Sequence, residues 1–359
     1  MRKILFVGLL TSISWFAVGQ DKGPTPAQTL RLARATYEQG RLHEITQQLS
    51  DTLFFQRAET TKAEKVEGYK LLCLTYIYLE EPKQADQAML NLKNTDHYFE
   101  PNPQVDPAEF VALFNTFRKP PIYRIGARLG VNSCRSNITE MNAAVELGSD
   151  SEVKPGYALH FGAAIDVPFG PRLTLHGELL YLQHKFEIDE KVERIDSTGA
   201  ILLNEFAGIE KQTWLSIPLC AEYSWLNPET SKFGKRFNPY VSGGFSIGYL
   251  LNAEMTSERP REDEAGIPES SVELSREKIN LSAIVATGIK VKIASGLFIT
   301  EVRYAHGLTN VSSQETAFEN QKLLWDYGYA DPVFKMSSLS ITFSYVQDIF
   351  KPKKLTNKK

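Results

Sequence analysis

The stretch Tyr123-Arg124-Ile125-Gly126-Ala127-Arg128-Leu129-Gly130-Val131-Asn132 decides how this chain folds. Side chains of a strand alternate between two faces. Tyr123, Ile125, Ala127, Leu129 and Val131 therefore share one face, and Arg124, Gly126, Arg128, Gly130 and Asn132 share the other. Neither arginine intrudes on the apolar set. The separation matters because an arginine facing lipid at the bilayer midplane costs about 2–4 kcal/mol.

Seven further segments obey the same rule. Tyr157, Leu159, Phe161 and Ile165 oppose His160 and Asp166; Leu173, Leu175, Leu179 and Tyr181 oppose Thr174, His176 and Glu178, with Leu180 and Leu182 blurring the pattern. Leu215 to Tyr223 set Ile217 and Leu219 against Ser216 and Glu222, and Val241, Phe245, Ile247 and Tyr249 oppose Tyr240, Ser242 and Gly244. The last three segments begin near Ile279, Phe298 and Leu339 and carry Lys290, Glu301 with Arg303, and a row of serines on their polar faces. Spacers alternate long and short, as in transmembrane barrels with tight turns on one side. The expected fold is α+β: N-terminal helical hairpins, then an eight-stranded antiparallel up-and-down transmembrane β-barrel over residues 120–350.

A soluble sandwich would also alternate. Its polar face would meet water and carry Lys, Glu and Thr, whereas here Gly, Ser and Ala dominate with isolated charges, as a narrow lumen requires. Tyr123, Tyr157, Trp214, Trp225, Tyr240 and Tyr249 lie near strand ends and are expected in aromatic girdles. The polar faces would place Arg124, Arg128, Lys290 and Arg303 in the lumen against Asp166, Glu178, Glu222 and Glu301. That balance implies ion pairs filling the barrel, not the single dominant sign of a selective channel.

Residues 25–118 have helical periodicity. Leu30, Ala33 and Tyr37 precede a break at Gly40, and Leu42, Ile45 and Leu49 resume the pattern; Val66, Tyr69, Leu72, Cys73 and Tyr76 precede Pro82, followed by Ala85, Ala88, Met89 and Leu92. Two hairpins with Gly40 and Pro82 at equivalent turns resemble tetratricopeptide repeats. Asp106, Pro107 and Glu109 spell a capping box for a helix presenting Phe110, Leu113, Phe114 and Phe117, which Pro120 and Pro121 end.

Arg2 and Lys3 precede an apolar run from Ile4 to Val18, with Ala17 and Gly19 as small residues of a cleavage site. Residues 1–20 are expected to be a secretory signal peptide, and no Cys follows to suggest a lipid anchor. The net charge of −3 gives no footprint for nucleic acid. Cys73, Cys134 and Cys220, assigned to a helix, an outer loop and a strand, suit neither a disulfide framework nor a zinc site.

An even strand number puts both barrel ends in the periplasm, with turns near 168–172, 227–237 and 294–296 on that side. Segments near 133–155, 188–212, 253–277 and 308–334 then face outward as long loops. The third is acidic, with Glu254, Glu258, Glu262, Asp263, Glu264, Glu269 and Glu273 against Arg259, Arg261 and Arg276. Lys232, Lys235, Arg236 and the basic tail 351–359 are expected on the periplasmic side as a solvated charged surface, and the tail is also placed to touch inner-leaflet phosphates.

The stretches Trp214-Leu215-Ser216-Ile217-Pro218-Leu219, Tyr240-Val241-Ser242-Gly243-Gly244 and Arg303-Tyr304-Ala305-His306-Gly307-Leu308-Thr309-Asn310 resemble the eight-stranded outer-membrane barrels of the Bacteroidota, the PorT-like or porin-family barrels. Asp106-Pro107-Ala108-Glu109-Phe110 resembles a subgroup with a helical repeat domain before the barrel. The resemblance implies an outer-membrane protein, some of whose relatives serve type IX secretion, and it carries no catalytic residue. The tail after Phe350 departs from barrels that end on an aromatic residue.

No spacing singles out a nucleophile. His184 with Glu187 and His306 with Ser312 are the rim candidates for acid–base work, yet no catalytic residue, metal site or cofactor is expected. Asp51-Thr52-Leu53 and Asp196-Ser197-Thr198 resemble O-glycosylation tripeptides. The leading expectation is a non-enzymatic barrel anchoring a periplasmic interaction module, with Tyr37, Leu71, Tyr76 and Tyr78 as candidate surface. The alternative is a transport or ligand-binding barrel acting through its outer loops. Expected partners are outer-membrane lipids, the barrel-assembly machinery and an unidentified periplasmic or outer-membrane protein.

Overall fold

The computed structural model describes residues 24–49, 54–140, 150–195, 201–227, 230–257, 270–293, 295–316, 319 and 330–355. The expected signal peptide, both O-glycosylation tripeptides and positions 258–269 of the acidic run lie outside them. The chain forms two compact units: Met1–Lys119 with Lys351–Lys359, and Pro120–Phe350.

In the first unit, α1 (Pro26–Glu38) and α2 (Leu42–Gln48) make one hairpin, α3 (Lys62–Tyr78) and α4 (Pro82–Thr95) a second, and α5 (Ala108–Asn115) follows. Thr25 with Gln28 and Thr61 with Glu64 form reciprocal capping boxes that start α1 and α3, each satisfying donors a bare helix end would leave open. The apolar stripes meet in a core of Leu30, Ala33, Ile45, Leu72, Met89, Leu92, Phe110 and Phe114.

The two hairpin turns correspond, though not through Pro82. Gly40 has φ 75° and Glu80 has φ 59°, and each is followed by a residue whose N–H reaches back across the turn, Arg41 to the Thr36 carbonyl and Glu81 to that of Tyr76. Glu80 is thus the counterpart of Gly40, while Pro82, at the first turn of α4, matches Leu42. A left-handed backbone burdens any residue with a Cβ. Glu80→Gly should therefore stabilise the helical unit by about 0.5–1 kcal/mol, read as a higher denaturant midpoint of the 222 nm signal of the full-length protein.

Asp106 does not cap α5, whose N-cap is Pro107 and has no side-chain bond. Its carboxylate accepts the Asn102 N–H at 2.7 Å and pairs with Lys70 at 2.5 Å, closing the preceding turn instead. The basic tail is likewise engaged. The Arg118 N–H donates to the Lys353 carbonyl at 3.0 Å, the Leu355 N–H to that of Thr116 at 2.7 Å, and Lys354 Nζ to Asp86 at 2.6 and 2.7 Å. Lys354 thus meets a carboxylate of its own unit, where a solvated surface was the expectation.

The second unit is a closed antiparallel sheet. Strands β1 (Tyr123–Glu140), β2 (Asp150–Phe169), β3 (Leu173–Ile195), β4 (Ile201–Ser224), β5 (Phe237–Ser257), β7 (Ile279–Ile293), β8 (Gly296–Gly307) and β9 (Val333–Ile349) pair in sequence, and β1 pairs with β9 to close a ring of eight. Short β6 (Ser270–Glu273) adds to the β5 extension, and α6 (Lys232–Arg236) lies in the β4–β5 connection. No described helix is long and apolar enough to cross a membrane, which says nothing of strands.

The strands run longer than expected. Residues 133–140, 150–155, 188–195, 201–212 and 253–257, read as loop, continue the wall. The polarity of its two faces inverts there, which hid them. Along β3, outward Leu175, Leu179 and Tyr181 give way to Lys185, Glu187 and Asp189, while inward His176 and Glu178 give way to Leu180, Leu182, Phe186 and Ile188. The end near Tyr123 and Ile349 is greasy outside and charged inside. The far end is built like a soluble barrel, around Cys134, Phe186, Trp214, Val311, Phe334 and Met336. Cys134 accordingly lies in β1, buried, and not in a loop. Leu180 and Leu182 belong to the inner face at the point of inversion.

Candidate functional site in the barrel lumen

Alternation sends the polar faces inward, and the first layer they form is ionic. Arg128 on β1 reaches Glu178 on β3 at 3.0 Å and Glu301 on β8 at 3.2 Å. Arg303 grips Glu178 through both terminal nitrogens of its guanidinium, with Nη1 at 3.0 Å, and Glu301 through Nε at 3.0 Å. Tyr240 on β5 donates its hydroxyl to Glu301 at 2.6 Å. Lys290 on β7 pairs with Glu222 on β4 and sits 5.1 Å from the Tyr240 ring.

His176 completes the layer. Its Nδ1 faces Asp166 and its Nε2 faces Glu178. Carboxylates at both ring nitrogens require both to donate, so the geometry fits an imidazolium. Four cations, Arg128, His176, Lys290 and Arg303, then balance four carboxylates, Asp166, Glu178, Glu222 and Glu301. The eighth residue expected here, Arg124, lies at the near end, where it pairs with Asp348 at 2.7 Å, as does Lys292. His176 was visible on the polar face of β3, but its role depended on which residues face it across the lumen. Asp348 escaped because it lies one residue before β9 ends.

A second charged cluster lies toward the far end. Arg276, between β6 and β7, donates from Nε and Nη2 to Glu210 on β4 at 2.8 and 2.9 Å, and from Nη2 to Asp331 at 3.0 Å. Gln212 donates to Glu210 at 2.6 Å and accepts from the Trp214 indole at 2.9 Å. The sequence alone places Arg276 among the charges of a loop. Trp214, 2% exposed, and Tyr240, fully buried, fill the lumen and are not girdle residues; a ring with a donor at its tip suits such a polar interior. Tyr157, Trp225 and Tyr249 do lie exposed on the outer surface.

Among the described residues His184 and Glu187, and His306 and Ser312, are not brought together as pairs. His306 Nδ1 lies 3.1 Å from the Ser337 hydroxyl, Glu187 pairs with Lys185, and Ser312 donates to the Pro332 carbonyl. His184 is buried in the lumen wall. Among the described residues no group of three His, Cys, Asp or Glu side chains is placed to hold a metal ion.

Of the four helical candidates, Tyr78 is exposed, Tyr37 and Tyr76 are half-buried, and Leu71 packs in the core. Leu71 cannot line a surface, because its face of α3 is the one that meets the core. Burial, then the neighbouring Tyr78, push the Tyr37 hydroxyl up to about 12. Buried Lys93 lies 3.7 Å over the Phe114 ring, and burial, with the Lys119 ammonium adding, lowers its pKa to about 8. The folded state then binds fewer protons than the unfolded state between about pH 8 and the ordinary lysine range. Stability of the helical unit should rise with pH across that window, and Lys93→Met should flatten the dependence in denaturant midpoints measured from pH 7 to 10.

The outer membrane protein beta-barrel domain matches residues 121–313. No curated protein matches the chain. Similar solved structures include the outer membrane protein OprG from Pseudomonas aeruginosa, 12% identical over 64% of this chain and 98% of its own, with a TM-score of 0.38. Neisserial surface protein A is 11% identical over 63% and 97%, with a TM-score of 0.31. The outer membrane protease OmpT from Escherichia coli is 10% identical over 64% and 96%, with a TM-score of 0.28. With more than half its length matched by that domain, and a closed ring of eight strands to carry it, the chain belongs to the outer membrane protein beta-barrel family.

Proposed function

We propose that the barrel is a non-enzymatic outer-membrane anchor for a periplasmic helical module that binds an envelope protein. The observation carrying this reading is that one helical unit holds both ends of the barrel's chain. It feeds β1 after Lys119 and takes the chain back at Lys351, where Lys353 to Leu355 pair with Thr116 to Arg118. Eight strands bring both ends to the side of the short turns, which in outer-membrane barrels is the periplasm. A lumen crossed by buried ion pairs favours an anchor over a diffusion pore.

The two hairpins repeat with matching turns at Gly40 and Glu80, in the manner of tetratricopeptide repeats, whose stacked helices present surfaces for a peptide or helix. Tyr37, Tyr76 and Tyr78 are the candidate contacts. Within the family the sequence motifs favour the PorT-like barrels of the Bacteroidota, and hence a scaffold for an envelope or secretion assembly. Lipids and the barrel-assembly machinery are the other partners this architecture calls for. In-cell photo-crosslinking from Tyr76 and Tyr78 tests the proposal. A discrete envelope protein captured there, and not from far-end loop positions, supports it. Solute uptake that survives removal of residues 25–118 but not of the far-end loops replaces it with transport.

A further inference from the structure

Between the ionic layer around Glu178 and the far-end cluster around Trp214 lies a cavity of about 60 Å³, whose wall includes Asn132, His160, His184, Ser216, Asn280 and Arg303. Asn132, His160 and His184 are each more than nine-tenths buried. Each carries one polar atom with no hydrogen-bond partner among the described residues: Asn132 Oδ1, His160 Nδ1 and His184 Nδ1. Their neighbours are committed elsewhere. Asn132 Nδ2 donates to the Gln183 carbonyl at 3.0 Å and His160 Nε2 lies 3.0 Å from the Thr342 hydroxyl.

The wall does not suit an anion. Arg303, the Lys or Arg side chain among the described residues of the wall, is directed to Glu178 and Glu301. The polar atoms left over belong to neutral amide and imidazole groups and ask for a small molecule that both donates and accepts. Buried polar atoms without partners are costly, and a polar cavity needs about 10–15 Å³ of this volume to hold one water, so the space exceeds that minimum. A purely apolar cavity of the same size would stay dry.

We propose that the lumen contains a binding site for a cluster of ordered water that links His184, His160 and Asn132, between the Glu178 layer on one side and the Arg276 cluster on the other. The site stands independently of what the helical unit binds. Its test is water-edited solid-state NMR on the full-length protein, labelled with 15N-histidine, in phospholipid bilayers. His160→Gln and His184→Gln spectra assign the two rings. Magnetisation from water should reach both Nδ1 atoms in the wild-type protein, and Asn132→Leu should reduce the transfer at least twofold. Rings that receive none in the wild type would make the cavity dry and overturn the proposal. A cobalt(II) titration giving a tetrahedral absorption band that His184→Phe abolishes would also overturn it, in favour of a metal site.

Discussion

Glu178→Leu should destabilise the barrel by about 3–5 kcal/mol, the cost of breaking a buried ion pair by removing one partner. Glu178 receives Arg303, Arg128 and His176 at once, so its loss leaves those three groups with Glu301 and Asp166 alone. The layer it belongs to draws on seven of the eight ring strands, through Arg128, Asp166, His176, Glu222, Tyr240, Lys290 and Glu301. The charges stranded there belong to buried side chains, Arg128 and His176 among them. Glu178→Gln keeps the shape and should lose nearly as much, which separates charge from packing. Glu178→Leu with Arg303→Met restores the balance at three cations and three carboxylates, and should recover a large part of the loss, since an apolar pair of similar volume often replaces a buried ion pair at little cost. Urea midpoints of the detergent-embedded protein, followed by tryptophan fluorescence, measure all three. A single variant within 1 kcal/mol of wild type would mean that the layer fills space without holding the strands.

The membrane-facing half of this barrel was legible because one physical rule governs it. Lipid tolerates no charge on the outer face, so Ile125, Leu129 and Val131 could be separated from Arg124 and Arg128 by parity alone, and seven of the eight charged lumen residues named on that basis lie in one layer. The far half follows the opposite rule. Phe186, Ile188 and Met255 are buried inside while Lys185 and Asp189 face out, and a search for grease on the outside passes over them. Aromatics misled for a different reason: Trp214 shares the parity of Ser216 and Glu222 and Tyr240 that of Ser242, so alternation already turns both rings inward, and nearness to a strand end pointed wrongly to a girdle. Glu80 escaped because nothing in a glutamate announces a left-handed turn; its equivalence to Gly40 rests on backbone bonds. Arg276 escaped because its partners, Glu210 and Asp331, are 66 and 55 residues away.

Arg276→Met should open the far end of the barrel while leaving the Glu178 layer closed. Arg276 holds Glu210 with a two-pronged grip, bonds Asp331, and lies 5.4 Å over the Phe334 ring. Its removal places two buried carboxylates together without the cation between them, at a cost of about 3–5 kcal/mol. The effect is confined by the local wiring. At this end β7 begins only at Ile279 and β8 stops at Gly307, so the wall is completed by single bonds, the Glu277 N–H to the Val311 carbonyl at 2.7 Å and the Val311 N–H to the Phe334 carbonyl at 2.9 Å. These amides lie beside the lost charge and should exchange with deuterium about 100-fold faster or more, the factor that 3 kcal/mol implies. Amides paired along Arg128, Glu301 and Arg303 should keep their protection, because the ladder of β1, β8 and β9 there is continuous. Arg276→Lys should fall between the two: an ammonium keeps the charge but cannot span Glu210 and Asp331 with a planar fork. Hydrogen exchange spread evenly over both layers in Arg276→Met would show that the barrel opens as one cooperative body, and that the inversion of polarity near Tyr181 divides its chemistry but not its stability.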